Sequence, residues 1–475
     1  MPARLPLPPT VQEIVDAYKF PFELRGDQVE DIDFLVRYDR VGLFLDMGLG
    51  KTAVATAICF YHGLQGSVHQ VLCLVPPVLV KQWELWLREF PDLSITVYRG
   101  TPAQRKKIGL EADFIITTLG LFKNDHERFM GSMARRRLAV VVDEAAAIRM
   151  PNTGNYKAVR DLVETPSKKL LMLTGTPLGA HPATGYGLIK LKTPDVYRDY
   201  RQFLMLHVTG VDMRGNPTGF RNLDLLQTAL MSQSVFRRAE DVLELPEVQH
   251  IPVKYELGKQ HQALYNELID ELLLTLDNGT VIDATTTQKL YSRAQQFIME
   301  VPDGGKIRPA GFDVLDQVIE ETGLLRLDNE KLIVFVNFRK TNEAIIAYLQ
   351  AAGIGCVQVY GGADNQKALD KFRDDTSIKI MVAQPKSSGI GLNLQFCRYQ
   401  LFLETPITSG DFQQAVARIK RSGQTRKCQV WIAVALNTLQ ETIVRNTLRK
   451  ESVLQKVTPT KATLRAALTG KAEIY

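Results

Sequence analysis

The chain has 475 residues, 45% of them hydrophobic and 23% charged, and a formal net charge of +6, which is ordinary for a globular protein of two or three domains. Its longest apolar run, Val71 to Val80, contains two prolines and is too short to cross a bilayer, and its first residues lack the pattern of a secretory signal. The five cysteines include no CxxC pair, which argues against a zinc ribbon and a disulfide framework. We therefore expect a cytoplasmic protein that does not contact a membrane.

In the first half of the chain, short β-forming runs alternate with helix-like segments. Buried strands that alternate with helices are typical of a parallel sheet covered by helices on both faces. The predicted strands are Val41–Leu45, Gln70–Val75, Asp113–Thr117, Leu138–Val142 and Lys169–Leu173, and the predicted helices include Ala53–Tyr61 and Lys81–Phe90. We assign residues 1–177 to this N-terminal lobe.

Between residues 178 and 329 the strand pattern fades. Helical periodicity is found in Phe203–Val208, Asn222–Met231 and Gln260–Leu274. The polar stretches Asp277–Thr287 and Pro302–Pro309 contain glycine and are expected to be loops. We interpret 178–329 as a mostly helical insertion that ends in a link to the second half.

The second half repeats the alternation of strands and helices. The predicted strands are Lys331–Val336, Gly355–Tyr360, Ile378–Ala383, Tyr399–Glu404 and Gln429–Ala435, and the predicted helices include Ala344–Ala352 and Phe412–Arg421. We assign 330–445 to a second lobe and 446–475 to a tail. The stretch from residue 420 to the C-terminus has eleven Lys and Arg residues against three Glu residues, which suits a polyanion such as nucleic acid. The expected fold class is α/β, with two parallel-sheet lobes.

A glycine-rich loop, Gly48–Thr52, follows the first predicted strand and precedes a helix. Glycines let backbone amides wrap a triphosphate, a lysine can reach its outer phosphates, and a threonine hydroxyl can bind Mg²⁺. The strict phosphate-loop pattern would need glycine where Leu45 stands, but strand, loop and helix occur in the required order. The sequence therefore predicts an ATP and Mg²⁺ site formed by Gly48, Gly50, Lys51 and Thr52.

Two adjacent carboxylates, Asp143 and Glu144, follow the apolar strand Leu138–Val142. Such a pair suits a magnesium–ATP site, because one carboxylate can hold the metal while the other orients and deprotonates the attacking water. We assign Asp143 to the metal and Glu144 to the water.

These two motifs belong to an ordered series of short segments along the chain. The segments are Leu24–Gln28, Asp46–Thr52, Val75–Pro77, Gln82–Trp83, Ile116–Thr118, Asp143–Ala146, Leu173–Pro177, Phe236–Arg238, Lys331–Phe335, Ser388–Leu394 and Gln414–Gln424. Their order resembles that of the Swi/Snf-type ATPases, a branch of the superfamily-two helicase-like DNA translocases. The resemblance covers residues 20–445 approximately and implies two RecA-like lobes that hydrolyse ATP.

The resemblance implies further binding residues. Gln28 would contact adenine with Arg25 beside it, and Gly391 and Gln414 would join the nucleotide site from the second lobe. The implied nucleic-acid contacts are Pro76, Lys81, Gln82, Thr117, Thr118, Ser387, Ser388 and Asn393, with Lys340 and its neighbours. In such motors these contacts reach phosphates and sugars and carry little sequence information. Trp83 could pack beneath this region or stack on an unpaired base.

The last motif has a physical logic of its own. Gln414, Arg418 and Arg421 are spaced i, i+4 and i+7, so on a helix they would share one face. Arginines on one face can stabilise charge that develops on a γ-phosphate, an effect worth on the order of 10³–10⁵ in rate. Since they belong to the second lobe, we expect hydrolysis to require closure of the lobes.

Three stretches depart from the family pattern. Ala146 stands where the family has the histidine of DEAH, which helps to link the nucleotide site to the Leu173–Pro177 motif. The segment Arg149–Asn152 lacks the usual lysine-asparagine ending, and Thr405-Pro406 lacks a tryptophan-asparagine pair. The catalytic candidates Lys51, Asp143, Glu144, Arg418 and Arg421 are all present. We therefore expect an active, divergent enzyme in which Ala146 affects coupling more than hydrolysis.

The functional prediction is an ATP-dependent translocase on double-stranded DNA, forked or branched DNA included. We expect a compact, monomeric member from a prokaryote or bacteriophage, associated with the nucleoid and active in replication, recombination or repair. Two alternatives stay open: a helicase that separates strands of DNA or RNA, and an ATP-binding module that regulates a partner. The first would need a strand-separating wedge, and the second would predict broken catalytic positions.

Overall fold

The computed structural model describes residues 10–448 except for 180, 212–216, 244, 278–283, 301–306, 361–364, 386–393, 408, 422, 442 and 446. These residues form two compact units, the first ending at Leu243 and the second following it. Each unit contains its own parallel sheet, which confirms the predicted α/β class with two lobes. Within the described ranges, no helix is both long enough and apolar enough to cross a membrane.

The described part of the first unit contains a seven-stranded parallel sheet and a two-stranded antiparallel hairpin. The strands are β1 (Arg40–Leu45), β2 (Gln70–Leu74), β3 (Ile95–Val97), β4 (Phe114–Thr117), β5 (Leu138–Asp143), β6 (Lys168–Leu173), β7 (Val208–Val211), β8 (Pro217–Phe220) and β9 (Ser234–Arg237). The sheet order is β3-β4-β2-β5-β6-β1-β9, and β7 pairs with β8 in the hairpin. The five strands predicted for this lobe correspond to β1, β2, β4, β5 and β6.

Helices cover both faces of this sheet. They are α1 (Val11–Tyr18), α2 (Gly26–Leu35), α3 (Lys51–Leu64), α4 (Val80–Arg88), α5 (Pro102–Lys106), α6 (Leu119–Asn124), α7 (His126–Met133), α8 (Gly154–Val163), α9 (Tyr186–Lys192), α10 (Tyr200–His207), α11 (Leu223–Met231) and α12 (Ala239–Val242). Val140 and Val142 belong to one buried apolar cluster, and Val71 and Val141 belong to another. Alternate residues of a strand point to opposite faces, so burial of both faces explains why these strands read as continuous apolar runs.

The described part of the second unit contains a six-stranded parallel sheet in the order β10-β15-β14-β11-β13-β12. Its strands are β10 (Val248–Tyr255), β11 (Leu332–Phe335), β12 (Cys356–Val359), β13 (Ile380–Ala383), β14 (Tyr399–Phe402) and β15 (Cys428–Ala435). Its helices are α13 (Lys259–Asp277), α14 (Ala284–Met299), α15 (Gly311–Thr322), α16 (Arg339–Ala351), α17 (Gln366–Asp374) and α18 (Ser409–Val416). The five strands predicted for this lobe correspond to β11 through β15.

The structure divides residues 178–329 between the two units, where the sequence suggests one insertion. The helices α10, α11 and α13 were predicted, but β9 extends the first sheet beside β1 and β10 extends the second sheet beside β15. The predicted loop Asp277–Thr287 is wrong in part, because α14 begins at Ala284. Residues 302–306 of the other predicted loop lie outside the described residues, as do residues 446 and 449–475 of the predicted tail.

Candidate nucleotide site and nucleic-acid surface

The nucleotide loop leaves β1 through backbone conformations that favour glycine. Gly48 and Gly50 have φ angles of 86° and 79°, in the left-handed region where a Cβ is strained. A Cβ on Gly50 would also lie 2.4 Å from Nε2 of Gln28. The two glycines therefore allow the chain to turn sharply from β1 into α3, which begins at Lys51.

The side chain of Lys51 lies over the start of this loop. Its Nζ donates hydrogen bonds to the carbonyl oxygens of Leu45 at 2.8 Å and Asp46 at 3.2 Å. Thr52 is the next residue and is half-buried. Because Lys51 and Thr52 form the first turn of a 14-residue helix, an anion at the loop would meet the positive end of the helix dipole.

Arg25 and Gln28 lie directly against the nucleotide loop. Gln28 is buried, and its Nε2 donates to the carbonyl oxygen of Leu49 at 3.1 Å. Nη2 of Arg25 donates to the same oxygen at 3.1 Å, while Nε of Arg25 pairs with Asp27 at 2.9 Å. The structure thus brings both residues to the loop, and their contact with adenine stays a prediction.

Asp143 is the last residue of β5 and is buried. Its Oδ2 accepts a hydrogen bond from Nε1 of Trp83 at 2.8 Å, and its Oδ1 accepts one from the backbone N–H of Glu144 at 2.9 Å. Burial raises the pKa of the Asp143 carboxyl, while the Trp83 hydrogen bond, the Lys51 charge and the Glu144 amide lower it. A nearby cation would favour the ionised carboxylate further.

Glu144 has an unusual backbone for a residue with a side chain. Its φ of 53° and ψ of 52° lie in the left-handed region, which residues other than glycine and asparagine rarely occupy. Strained conformations of this kind concentrate at functional sites. The chain leaves the extended conformation here, so the carboxylates of Asp143 and Glu144 are not confined to opposite faces of a strand.

These residues fit a magnesium–nucleotide. The Thr52 hydroxyl and the Asp143 carboxylate are oxygen ligands of the kind that Mg²⁺ prefers. Lys51 and the first turn of α3 provide positive charge for the phosphates. Glu144 then remains to orient a water molecule. The assignments of Lys51, Thr52, Asp143 and Glu144 stay predictions, and the structure places all four at the carboxyl ends of β1 and β5.

Arg149 connects the turn after β5 with the turn after β6. Its Nε donates to the carbonyl oxygen of Ala146 at 3.0 Å, and its Nη1 donates to that of Thr176 at 3.3 Å. The backbone of Arg149 is fixed as well, because its carbonyl oxygen accepts the N–H of Gly187 at 2.8 Å. Sequence reasoning noted the departure at Arg149 but missed this contact, since the residues are far apart in the chain.

The segment Phe236–Arg238, where β9 ends, is joined to the nucleotide loop. The backbone N–H of Asp46 donates to the carbonyl oxygen of Arg237 at 3.0 Å, and Oδ2 of Asp46 accepts from the N–H of Ala239 at 3.1 Å. Nε of Arg237 also donates to Asp31 of α2 at 2.7 Å. Burial raises the pKa of Asp31 to about 6, although the Arg237 charge opposes the shift. The end of the first unit is thus tied to the loop.

The predicted nucleic-acid contacts near β2 are accessible. Lys81 and Gln82 are exposed at the start of α4, and Pro76 is half-buried just before it. Lys81 forms an exposed ion pair with Glu84 at 3.2 Å. These positions follow the carboxyl end of β2, at the same edge of the sheet as the nucleotide loop that follows β1.

The two predicted contacts after β4 differ from each other. Thr118 is half-buried and caps α6, because its hydroxyl accepts the N–H of Leu121 at 3.2 Å. Thr117 is buried, and its hydroxyl donates to the carbonyl oxygen of Tyr98 at 3.0 Å. The side chain of Thr117, the last residue of β4, therefore faces the core, and a contact of this residue with nucleic acid stays a prediction.

Trp83 is only 1% exposed, so of its two predicted roles the structure supports buried packing and excludes stacking on a base. Its indole N–H donates a hydrogen bond to the Asp143 carboxylate. One turn later, Nε1 of Trp86 donates to Oγ1 of Thr56 at 3.0 Å. The sequence placed both tryptophans on a helix but gave no indication of these partners.

The arginines of the last motif do not lie on the predicted helix. The helix α18 ends at Val416, and the N–H of Arg418 donates three residues back, to Ala415, at 3.2 Å. The expectation of one helical face for Gln414, Arg418 and Arg421 is therefore wrong. Gln414 is half-buried on α18, whereas both arginines are buried in the turns that follow.

Burial also changes the charge properties of Arg421. It lowers the pKa of the Arg421 guanidinium to about 10, because the charged form is disfavoured away from water. Its Nε donates to the carbonyl oxygen of Ala417 at 3.0 Å. Arg421 is still charged at neutral pH, as the prediction for a phosphate-stabilising group requires. Ser387, Ser388, Gly391 and Asn393 lie outside the described residues.

A buried carboxylate organises the carboxyl ends of β11 and β14 in the second unit. Glu404 accepts hydrogen bonds from the backbone N–H groups of Asn337 at 2.6 Å and Phe338 at 3.1 Å, and from Oγ1 of Thr341 at 2.8 Å. These donors lie at the start of α16. Burial raises the pKa of Glu404 to about 7, and the three hydrogen bonds oppose that shift. Lys340, a predicted polymer contact, is exposed beside this group and pairs with Glu300 at 2.7 Å.

Two protein-family models match the chain. Residues 28–301 match the SNF2-related domain, and residues 312–423 match the helicase conserved C-terminal domain. The first match covers most of the described first unit and continues into the second.

The chain is also similar to individual proteins. It is 24% identical over 440 residues to the uncharacterized ATP-dependent helicase YqhH of Bacillus subtilis, covering 87% of this chain and 75% of that protein. It is 23% identical to the chromodomain-helicase-DNA-binding protein 1-like of Mus musculus, covering 90% of this chain and 49% of the relative. It is 22% identical to the DNA repair and recombination protein RAD54-like of Drosophila yakuba, covering 86% and 58%. The chain thus spans three quarters of one of these relatives and about half of the others.

Among solved structures, the chain is similar to the Sulfolobus solfataricus SWI2/SNF2 ATPase core in complex with dsDNA. The two are 23% identical, with 93% of this chain and 94% of the other covered and a TM-score of 0.44.

Proposed function

The chain belongs to the SNF2-related family, and we propose that it is a motor that couples ATP hydrolysis to movement along double-stranded DNA. Its two matched domains make it a helicase-like ATPase core with two α/β lobes. The observation that carries the proposal is the geometry at Asp143: a buried carboxylate with a hydrogen-bond donor on each oxygen, in the same unit as a glycine loop shaped for phosphates.

The residues of the first unit supply the hydrolytic chemistry. Gly48 and Gly50 shape the loop that would hold the phosphates, and Lys51 provides the positive charge beside them. Thr52 and Asp143 would hold magnesium, which neutralises charge on the phosphates when it is bound. Glu144 is then the group that accepts the proton of the attacking water. Arg418 and Arg421 of the second unit are proposed to stabilise the charge that develops on the γ-phosphate.

Double-stranded DNA is the proposed track, with forks and branches included. Relatives whose names include DNA binding or DNA repair and recombination support DNA as the polymer. Lys81 and Gln82, exposed beside the half-buried Pro76, offer contacts to phosphate and sugar, as expected for a motor that does not read sequence. Replication, recombination or repair is the proposed setting, because such an engine can regress forks, move branches and displace bound proteins.

The experiment is steady-state ATP hydrolysis at low salt with no polymer, duplex DNA, single-stranded DNA or RNA. The catalytic blank is Glu144→Gln, and the matched control is Glu164→Gln, which removes an exposed carboxylate at the end of α8. We expect duplex DNA to stimulate hydrolysis most, and stimulation to vanish in Glu144→Gln but not in Glu164→Gln. Stimulation should weaken as salt is raised, since phosphate contacts are salt-dependent.

The two alternatives give different results. Stimulation mainly by single strands or by RNA would contradict the translocase hypothesis and favour a strand-separating helicase. Absence of hydrolysis under every condition would favour an ATP-binding module that regulates a partner. If duplex DNA stimulates, displacement of a third strand from a DNA triplex then tests movement without strand separation.

A further inference from the structure

The helix α4 has one face toward solvent and one toward the nucleotide site. Lys81, Gln82 and Leu85 are exposed, and Lys81 and Gln82 are candidate polymer contacts. Trp83 and Leu87 on the other face are buried. This short helix therefore lies between the surface proposed for DNA and the interior of the first unit.

The buried face reaches the carboxylate proposed for magnesium. Nε1 of Trp83 donates to Oδ2 of Asp143 at 2.8 Å, while Oδ1 is used by the backbone N–H of Glu144. With a donor on each oxygen, rotation of the carboxylate is restricted. A buried indole N–H needs some acceptor for reasons of packing alone, but here the acceptor is a residue of the proposed catalytic site.

A second indole on α4 contacts α3, the helix that carries Thr52, the other proposed magnesium ligand. Nε1 of Trp86 donates to Oγ1 of Thr56 at 3.0 Å, and that hydroxyl donates to the carbonyl oxygen of Thr52 at 2.8 Å. Trp83 and Trp86 are spaced i and i+3, so they lie on neighbouring positions of the helix surface. One helix thus has hydrogen-bonded connections to both elements that would hold the metal.

We propose that α4 transmits DNA contact to the magnesium site, and that Trp83 is the positioning residue that carries it. This proposal rests on the proposed function. A polymer phosphate bound at Lys81 or Gln82 would shift or stiffen α4, and the indole of Trp83 would then change the orientation of Asp143. Coupling of this kind is reciprocal, so magnesium and nucleotide would change the affinity for DNA by the same factor as DNA changes theirs.

The test compares Trp83→Phe with Trp431→Phe in the full chain. Both changes remove an indole N–H from a buried tryptophan that donates to a carboxylate, because Nε1 of Trp431 donates to Glu321 in the second unit at 3.1 Å. The measured quantities are the Kd for duplex DNA with and without Mg²⁺ and a non-hydrolysable ATP analogue, the ratio of DNA-stimulated to basal hydrolysis, and the half-saturating Mg²⁺ concentration.

We expect the native protein and Trp431→Phe to show a change in DNA Kd of about tenfold on addition of Mg²⁺ and the analogue, within the usual range for allosteric coupling. In Trp83→Phe the change should fall to less than about twofold, the half-saturating Mg²⁺ concentration should rise, and the stimulation ratio should fall about tenfold. A residue that only fills space would lower thermal stability and leave the coupling factor as it is.

The outcomes separate this inference from the proposed function. A native protein that binds no duplex DNA or hydrolyses no ATP fails the proposed function, and the inference fails with it. A native protein that does both, with coupling that survives in Trp83→Phe, overturns the inference alone. If Trp83→Phe does not fold, Trp83→Met takes its place, because it also removes the indole N–H that donates to Asp143. An unchanged half-saturating Mg²⁺ concentration and coupling factor in that variant would overturn the inference as well.

Discussion

The guanidinium of Arg149 donates to the carbonyl oxygen of Thr176 across two turns that follow neighbouring strands of the first sheet. The same side chain also donates to the carbonyl oxygen of Ala146. The turn that holds the proposed catalytic pair and the Thr174–Thr176 turn are thus connected by one half-buried arginine. Ala146, which departs from the family pattern, takes part in this connection through its backbone, because its carbonyl oxygen accepts the Arg149 hydrogen bond.

Replacing Arg149 tests that connection. Arg149→Met keeps an unbranched, though shorter, side chain and removes both hydrogen bonds, and hydrogen bonds from a charged donor are worth about 1.5–3 kcal/mol. We expect kcat for DNA-stimulated hydrolysis to fall roughly tenfold with KM for ATP nearly unchanged, and Arg149→Lys to recover part of the loss. Arg160→Met removes an arginine in a half-exposed ion pair and should have little effect. A loss confined to KM would contradict this assignment.

A methyl group at Gly50 should disrupt the nucleotide loop. Gly50→Ala combines a left-handed φ, which costs about 1–2 kcal/mol, with a Cβ at 2.4 Å from Nε2 of Gln28. We expect lower thermal stability and a large loss of ATP affinity, measured by calorimetric titration. Gly26→Ala is the control, because nothing lies within 4 Å of a Cβ there. Normal ATP affinity in Gly50→Ala would show that the loop does not hold the nucleotide in this conformation.

Lys81 should contribute one phosphate contact. In Lys81→Gln the slope of log K against log salt concentration for duplex DNA should fall by about 0.9, without a change in sequence preference. Lys169→Gln is the control, because Lys169 lies at the amino end of β6, opposite the edge that carries the proposed DNA contacts. Equal slopes for Lys81→Gln and the native protein would remove Lys81 from the proposed surface.

Glu404 should make the stability of the second unit depend on pH. Its pKa is raised from 4.5 to about 7 in the folded protein, so protonation favours the folded state. The stabilising contribution is fully present below about pH 4.5 and is lost as the pH rises to about 7.

Glu404→Gln should remove this dependence. The amide oxygen can accept from the N–H groups of Asn337 and Phe338, and the amide nitrogen can donate to Thr341. At pH 8 we expect the variant to be more stable than the native protein by on the order of 2 kcal/mol, measured by urea unfolding between pH 4 and 8. Glu343→Gln is the control, because it removes an exposed carboxylate from α16, the helix that carries Thr341. If the unfolding free energy of Glu404→Gln changed with pH as steeply as that of the native protein, the prediction would be contradicted.

Most of the strands that the sequence revealed are buried on both faces, and the edge strand β12, with alternating burial, is an exception. Val140 and Val141 belong to clusters on opposite sides of the sheet, so nearly every residue of such a strand is apolar and the run is visible. The strands it did not reveal depend on their neighbours. β9 has four residues and is held by pairing with β1, and β10 is an edge strand that contains Pro252, which a central strand would not accept.

The residues of the candidate site also fall into two groups, those that the sequence identified and those that it did not. Glycine spacing and the carboxylate pair identified Gly50, Lys51, Asp143 and Glu144, because their chemistry is local in sequence. Local spacing could not identify the hydrogen-bond partners of Asp143 and Asp46, since Trp83 is 60 residues from Asp143 and Ala239 is 193 residues from Asp46. The spacing of Arg418 and Arg421 suggested a helix, but the chain leaves helical geometry after Val416.

The position of β9 has a consequence for synthesis of the protein. Residues 234–239 supply two parts of the first unit. They form β9, which pairs with β1, and they provide the backbone N–H that donates to the Asp46 carboxylate. A nascent chain that has left the ribosome only as far as β6 has β1 as an open edge, with unpaired backbone groups that invite association with other chains. The hydrogen bonds that join Asp46 to Arg237 and Ala239 can form only after β9 has emerged, so until then the nucleotide loop lacks these two contacts.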